Sequence, residues 1–348
     1  MAATVRDVAR LAGVSAMTVS RFVNDRPGVS AEARAKIEAA IAELDYAPSK
    51  VASSLISSKT QLIGMIVPDV SNPFFGPVVR GAEVIARKAG YRLLLCNSES
   101  DLKLERDYVA DLVAHRVEGL IIAPVGESSI NHLKRLVAQN FPMVTIDRHV
   151  RGLGCDSVAL DNTAAAEALV AHIIGKGHRR IGFVTDADDT STGRERLAGY
   201  QRALEAAGIV YDPDLVFRTS TDQVGGYRAT QQVLSSSVRP TAIFAVNNMT
   251  AIGVVEALHQ AKLDVPGDVS LACFDDVRHL AILAPFLTVI DQPAEMMAEA
   301  ATRMLLERIA GEAGSKPRPV TFPGKLIIRS SVATPKAGRT KASAGKRR

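Results

Sequence analysis

Residues 4–21 read TVRDVARLAGVSAMTVSR. Thr4 and Asp7 stand at the spacing of a capping box, in which the hydroxyl takes the backbone N–H three residues on and a carboxylate sits in the first turn. Val5, Val8, Ala9 and Ala12 follow at helical intervals, and Gly13 ends the helix with a residue that tolerates positive φ. Ser15 opens a second short helix with Val19, Phe22 and Val23 on its inner side. Pro27-Gly28 then marks a loop, and Ser30 caps a third helix with Ala33, Ile37, Ala40, Ile41 and Leu44 on one face. Pro48 stops it. Three short helices with a tight turn between the first two form a helix-turn-helix pattern. Packing consumes the inner residues of the second helix and leaves Ala16, Met17, Ser20 and Arg21 facing out. Arginine is the side chain that best reads guanine in the major groove. The competing reading is a plain three-helix bundle in which Arg21 is a solvated surface residue.

The whole chain has 348 residues, which leans towards two or three domains. At 47% hydrophobic and 23% charged it is ordinary for a folded protein, which excludes collagen-like, coiled-coil and wholly disordered readings. No apolar run nears the ~18 residues of a membrane helix, and MAATVRDVARLAGVS lacks the apolar stretch of a signal peptide. A cytoplasmic protein with no membrane partner is therefore expected. Cys96, Cys155 and Cys273 are too far apart for a disulfide framework or a C-x-x-C site. The net charge of +5 is unevenly placed. Residues 335–348 carry six Lys/Arg and no acid, residues 1–60 carry eight Lys/Arg against six Asp/Glu, and the long middle is slightly acidic. Only the two ends suit a polyanion. The tail is low in apolar residues and is expected to be disordered. Its cations are either plain solvated charge or a salt-sensitive aid to nonspecific phosphate attraction.

The run Val5-x-Asp7-Val8-Ala9-x-x-Ala12-Gly13-Val14-Ser15-x-x-Thr18-Val19-Ser20-Arg21 is followed by Asn24, Val29-Ser30 and Leu44-x-Tyr46-x-Pro48. Together they resemble the headpiece of the lactose/galactose repressor family, and the resemblance covers roughly residues 4–332. It implies a sequence-specific DNA-binding transcription regulator, a repressor, that binds a pseudo-palindromic double-stranded operator as a homodimer. It also implies that Ala16, Met17 and Arg21 probe base edges, that Thr18, Ser20 and Asn24 hold the phosphates that fix register, and that Thr4 and Ser15 belong to the same DNA-binding set. Residues 49–60, SKVASSLISSKT, read alone as a polar linker. In the family this segment forms a short helix on DNA. Two such helices, one per subunit, meet in the minor groove, and a leucine from each wedges between base pairs. The spacing Ala52-x-x-Leu55 resembles that hinge and makes Leu55 the wedge. The family often has an arginine directly after the alanine, where this chain has Ser53.

Residues 61–330 alternate strands with helices. QLIGMIV (61–67), RLLLC (92–96), GLIIAP (119–124) and PMVTI (142–146) are apolar runs of strand length. Between them lie a helix with Val78, Ala82, Ile85, Ala86 and Ala89 on one face and helical stretches near 101–116 and 127–139. The second half repeats the pattern with SVALD (157–161), a helix to Gly175, RIGFVT (180–185), a helix with Leu197, Tyr200 and Leu204, AIFAVN (242–247), a helix, and VSLACF (269–274). Apolar strands between helices imply parallel sheets covered on both faces. About ten such units overfill one small sheet and suit the two lobes of a periplasmic-binding-protein-like fold. The strings Lys59–Val67 and His178–Thr185 open the two halves in similar words. The expected architecture is a small all-α helix-turn-helix headpiece (1–48), a hinge helix or linker (49–60), an α/β two-lobed effector-binding and dimerisation core (61–332) and a basic tail (333–348).

Ligands of doubly wound sheets sit beyond the C-terminal ends of the strands. Asn72, Phe74 and Phe75 follow the first strand, Asp147-Arg148 follow PMVTI, Asn247 follows AIFAV and Asp275 follows LACF. Arg196 opens a helix after the loop that follows RIGFVT. Carboxylates and amides accept from sugar hydroxyls, arginine donates a planar fork, and phenylalanine covers an apolar ring face. The family resemblance implies the same positions, and hence a small-molecule effector, a sugar or sugar acid. Arg148, Arg194, Arg196 and Arg218 hint at a ligand with negative charge. For any one of these residues the alternative is helix capping or loop formation. The family commonly has Asp where this chain has Asn248. An inducer and a corepressor use the same parts with opposite sign.

Enzyme readings fail. No P-loop, G-x-S-x-G or H-E-x-x-H occurs, and the seven His residues show no metal-ligand spacing. Gly175-Lys176-Gly177-His178 joins a helix to a strand, the wrong direction for cradling phosphate. No catalytic residue, metal or cofactor is expected. A small-molecule receptor without DNA activity fits the core alone but leaves the headpiece unexplained.

Overall fold

The computed structural model describes residues 3–23, 26–46, 60–128, 130–186, 189–236, 239–276 and 286–336. Asn24, Ala52, Ser53 and Leu55, and the tail from residue 337 onward, lie outside the described residues. The chain divides into two compact units between Thr60 and Gln61.

The first unit holds α1 (Val5–Ala12), α2 (Ala16–Val23) and α3 (Ala31–Glu43). The capping box forms: Asp7 N–H donates to Thr4 Oγ1 at 3.4 Å and Thr4 N–H to Asp7 Oδ2 at 3.0 Å. Gly13 closes α1 at φ 66°, where a β-carbon costs roughly 1–2 kcal/mol. Ser15 accepts Thr18 N–H at 3.1 Å, and Ser30 accepts Ala33 N–H at 3.2 Å. Val8, Ala9, Ala12, Val19, Ile37, Ala40 and Tyr46 form the core, with Phe22, Val23, Ile41 and Leu44 packed at its edge. So small a core leaves little stability to spare, and caps worth about 0.5–2 kcal/mol each become decisive.

Among the described residues, the second unit has twelve strands in two six-stranded sheets. The strands are β1 (Leu62–Val67), β2 (Arg92–Asn97), β3 (Gly119–Ile122), β4 (Met143–Asp147), β5 (Asp156–Leu160), β6 (Ile181–Thr185), β7 (Val216–Arg218), β8 (Ala242–Ala245), β9 (Ser270–Phe274), β10 (Thr288–Asp291), β11 (Pro319–Phe322) and β12 (Lys325–Ile327). The helices covering them are α4 (Phe75–Lys88), α5 (Leu102–Ala114), α6 (Asn131–Ala138), α7 (Asn162–Gly175), α8 (Ser191–Ala206), α9 (Gln223–Ser235), α10 (Asn248–Gln260) and α11 (Ala294–Ala310). One sheet runs β11-β5-β4-β3-β1-β2 and the other β12-β10-β9-β8-β6-β7. β1 and β6 hold the same place in their sheets, which accounts for the similar strings that open the two halves.

Two expectations are corrected. SVALD, counted with the strands of the second half, belongs to the first sheet: β5 pairs in parallel with β4, and its register sets Val144 against Asp156. An apolar run says that a strand is buried on both faces, not which of two equivalent sheets receives it. Nor are the sheets wholly parallel, because β12 pairs antiparallel with β10 at the edge. The chain passes between lobes after β5, after β10 and after β11. The last segments are locked in place electrostatically. The buried Asp156 carboxylate receives Arg308 Nη2 at 2.7 Å and Arg318 Nη2 at 2.8 Å, which ties α11 and β11 to β5. These crossings turn the C-terminal strand ends of both sheets towards one cleft.

Candidate DNA-reading face and effector cleft

On α2, Ser15, Ala16, Met17 and Arg21 are exposed, with Met17 at 70%. Thr18 and Ser20 are half-buried. The hydroxyls of Thr4, Ser15 and Thr18 already have local work. Thr4 Oγ1 donates to Asp7 Oδ2 at 2.6 Å, and the Ser15 and Thr18 hydroxyls are 2.8 Å apart. Arg21 is steadied by the loop beyond it: Arg26 N–H donates to Arg21 O at 2.8 Å, and the guanidinium lies against Gly28, which sits at φ 100°. A β-carbon there would stand 3.6 Å from Arg21 Nη2. The four exposed residues thus make one face, with a prepositioned guanidinium at its end.

The core cleft has a volume of ≈ 500 Å³, within the range of small-molecule sites. It shares walls with an inner chamber of ≈ 40 Å³. All eight residues expected from the strand-end rule (Asn72, Phe74, Phe75, Asp147, Arg148, Arg196, Asn247 and Asp275) line that chamber. Asp147 and Asp275, at the ends of β4 and β9, both have positive φ, 65° and 69°. The two lobes therefore present one carboxylate each through the same backbone bend, a conformation Asp tolerates better than most residues.

Arg196 stands between these carboxylates and is 4% exposed. Its Nε donates to Asn162 Oδ1 at 2.9 Å, its Nη1 to Val246 O at 2.6 Å, and its plane lies 3.9 Å from the Phe274 ring centre. Burial raises the pKa of Asp147 against the pull of Arg148 and Arg196. Burial likewise pushes Asp275 up to about 6, opposed by Arg196 and by the Gln292 amide, which donates to it at 2.5 Å. Arg148 donates to Pro124 O and Val125 O at 3.2 and 3.3 Å. Asn247 caps α10, accepting Thr250 N–H at 2.8 Å, while its amide donates to Thr221 O at 3.0 Å. Asn248 is buried and takes no part in the cap. Phe74 and Phe75 meet edge to face with centres 5.0 Å apart.

Sequence reasoning missed Asp186, Thr192, Thr221 and Val246 on the chamber wall and Gln292 behind Asp275. Asp186 follows β6 and was open to the same strand-end rule. Thr221 follows β7, three residues long and too short to show periodicity. The arginines suggested an anion, but Arg194 is paired with Glu127 at 2.9 Å. The charged residues of the cleft lining are mostly acids, Asp69, Glu99, Asp186, Asp189 and Asp222, beside Arg148. Among the described residues no cluster of side chains could hold a metal ion, and no helix is long and apolar enough to cross a membrane.

Comparison with known proteins agrees in both units. Residues 4–49 match the model for bacterial regulatory proteins of the lacI family, and residues 170–332 match that for a periplasmic binding protein-like domain. The ribose operon repressor of Escherichia coli K12 is 37% identical over 310 residues, which is 88% of this chain and 93% of that protein. The lac repressor dimer bound to operator and the anti-inducer ONPF superposes with TM-score 0.82 at 28% identity, over 96% of this chain and all of that one. A LacI family transcriptional regulator from Enterococcus faecium with bound ribose gives TM-score 0.70 at 28% identity, over 79% of this chain and all of that one. A helix-turn-helix unit, joined in one sequence to a cleft between two α/β lobes, is thus found in proteins alike along nearly their whole length, and the chain belongs to the lacI family of bacterial regulatory proteins, DNA-binding transcription regulators.

Proposed function

We propose that the chain is a homodimeric cytoplasmic repressor whose affinity for a pseudo-palindromic operator is set by a neutral monosaccharide of the ribose class. Ala16, Met17 and Arg21 read base edges, with Thr4, Ser15, Thr18, Ser20 and Asn24 towards phosphates. Ala52 and Leu55 belong to the minor-groove hinge. The effector lies among Asn72, Phe74, Phe75, Asp147, Arg148, Arg196, Asn247 and Asp275. The observation that carries the effector assignment is the convergence of these eight strand-end residues on one chamber around a buried arginine. The surrounding carboxylates accept from hydroxyls and repel anions, which favours a neutral sugar over the sugar acid that the arginines alone suggest. The ribose operon repressor and the ribose-bound regulator among its relatives support the ribose class. Calorimetric titration with D-ribose, D-ribose 5-phosphate, D-gluconate and cellobiose tests this. Saturable binding of ribose in preference to the others is expected, and preference for either anion overturns the assignment.

Binding should depend on pH with a defined sign. Asp275 is the stronger acceptor of sugar hydroxyls when ionised, because protonation turns one of its oxygens into a donor, and burial sets that protonation near pH 6. Ribose affinity should hold above pH 7 and fall about tenfold by pH 5, as the protonated fraction rises. This loss is not unfolding. A carboxyl raised in the folded state binds its proton more tightly than in the unfolded chain, so acidification through this window adds stability from this group. A flat affinity profile from pH 7.5 to 5 would exclude Asp275 as an acceptor.

The hinge gives a separate expectation. Leu55→Ala removes the wedge whose insertion trades unstacking energy for a bend that brings more protein onto DNA. Specific operator binding should weaken about tenfold or more, with little change on nonspecific DNA. Equal losses on both, measured by mobility shift, reject the wedge.

A further inference from the structure

One rim of the cleft is bridged by direct contacts between the lobes. From the first lobe comes the loop after β3. Glu127 N–H donates to Asp189 O at 2.9 Å, Ser128 N–H to Asp189 Oδ1 at 3.0 Å, and Ser128 Oγ to Asp189 Oδ2 at 2.7 Å. The Glu127 carboxylate meets Arg194 Nη2 at 2.9 Å. Nearby, His149 of the first lobe donates its N–H to Ser191 Oγ of the second at 3.0 Å, and its Nε2 lies 3.2 Å from Glu195 Oε1. The fit requires a residue without a side chain at 126, since a β-carbon on Gly126 would overlap the Asp189 carboxylate. These are contacts between side chains and backbone of two rigid lobes, so they hold in one lobe angle and break in another.

Each half of the bridge hangs from a residue of the effector chamber. On the first lobe, Arg148 grips Pro124 O and Val125 O at the root of the loop. From behind, the buried Glu105 carboxylate takes Val125 N–H at 2.7 Å and is itself held by His132 Nε2 at 2.8 Å. On the second lobe, Thr190 follows Asp189 and caps α8, and its hydroxyl donates to Asp186 Oδ2 at 2.5 Å. Asp186 lines the chamber. A ligand that moves Arg148 or Asp186 by a fraction of an ångström moves one jaw of the bridge, and packed interfaces respond to such shifts by switching rather than by yielding.

We propose that Gly126–Ser128, Asp189, Arg194 and the His149–Glu195 pair form a cooperative clasp that holds the lobes closed and reports occupancy of the chamber. The clasp stands on these inter-lobe contacts, and only its response to ligand rests on the proposed effector pocket. Its test therefore needs no ligand. In the full-length, effector-free protein, amide exchange at His149 reads the far end of the clasp, away from Asp189. Asp189→Ala and Gly126→Ala should each speed exchange at His149 about tenfold, with an increase in radius of gyration by small-angle scattering. Gly126→Ala in the Asp189→Ala background should add little, because the overlapped carboxylate is gone. Arg194→Gln provides a variant that leaves the Asp189 loop intact and should show the same direction of change. Unchanged exchange at His149 in all three single variants, or additive effects in the pair, overturns the clasp and leaves only local contacts. Titrating D-ribose into the same variants then reads the coupling. Weaker binding at unaltered protection of the chamber strands is expected, whereas failure of ribose to bind the unmodified protein would count against the effector assignment alone.

Discussion

Arg21→Ala is expected to cost specific operator binding about 1–3 kcal/mol for each reading contact, and about twice that in a dimer that places two such side chains on one site. In affinity this is a loss of roughly tenfold to a hundredfold per half-site, with little change on nonspecific DNA. The argument is local. α2 is eight residues long and anchored inward by Val19, so Arg21 cannot turn into the core without losing that anchor. Its guanidinium is held near Gly28 by a loop that folds back on Arg21 O, which spends ordering entropy before DNA arrives. Mobility shift on a sequence selected from random DNA measures both affinities. If Arg21→Ala and unmodified protein discriminate selected from random DNA equally, α2 does not read sequence through this residue. Gly28→Ala supplies an internal check. It forces a β-carbon into a φ of 100° beside the guanidinium, and should weaken specific binding less than Arg21→Ala does while leaving the fold of α1 and α3 unaltered.

The headpiece was legible because its signals are short-range. Thr4, Ser15 and Ser30 announce three helix starts, Gly13 announces a turn, and Val8, Val19 and Ile37 share one interior. Each rests on caps and periods that one segment carries by itself. Asp147, Arg148, Asn247 and Asp275 were legible for a related reason: a parallel strand must be apolar along its length, so polar residues at its end mark the sheet's C-terminal edge, while Asn72, Phe74, Phe75 and Arg196, set further along the connections, rested also on the family resemblance. What stayed hidden depends on pairing at long range. That SVALD joins the first sheet is decided by the free edge beside β4, which nothing in residues 157–161 encodes. Gln292 was invisible because its role exists only once β10 lies beside β9 and brings it against Asp275. The partner of Arg194 stayed hidden for the same reason. Arg194 reads as a cation open to ligand until the other lobe supplies Glu127.

Arg196→Ala is expected to abolish effector binding and to destabilise the core by about 2–5 kcal/mol, the cost of two buried acceptors that lose a charged donor. For a unit of this size that corresponds to a fall in Tm on the order of 10 °C. The guanidinium's charge opposes the burial that raises Asp147 and Asp275, although neither carboxylate bonds to it. It also satisfies Asn162 Oδ1 and Val246 O, and it covers the face of Phe274. Alanine leaves the Asn162 amide oxygen and the Val246 carbonyl without their donor, and removes the charge that steadies the two carboxylates. Arg196→Lys keeps the charge but has neither the fork nor the plane, so it should recover part of the stability and little of the binding. The decisive comparison is Arg196→Ala with Asp275→Asn. Removing one uncompensated carboxylate should restore several degrees of Tm to the Arg196→Ala protein without restoring ribose binding, because the sugar loses both its donor and its acceptor. Differential scanning calorimetry and titration on the same samples separate the two effects. An Arg196→Ala protein that melts with the unmodified one and still binds ribose would mean that the chamber is stabilised without this arginine, and that the effector binds elsewhere in the cleft.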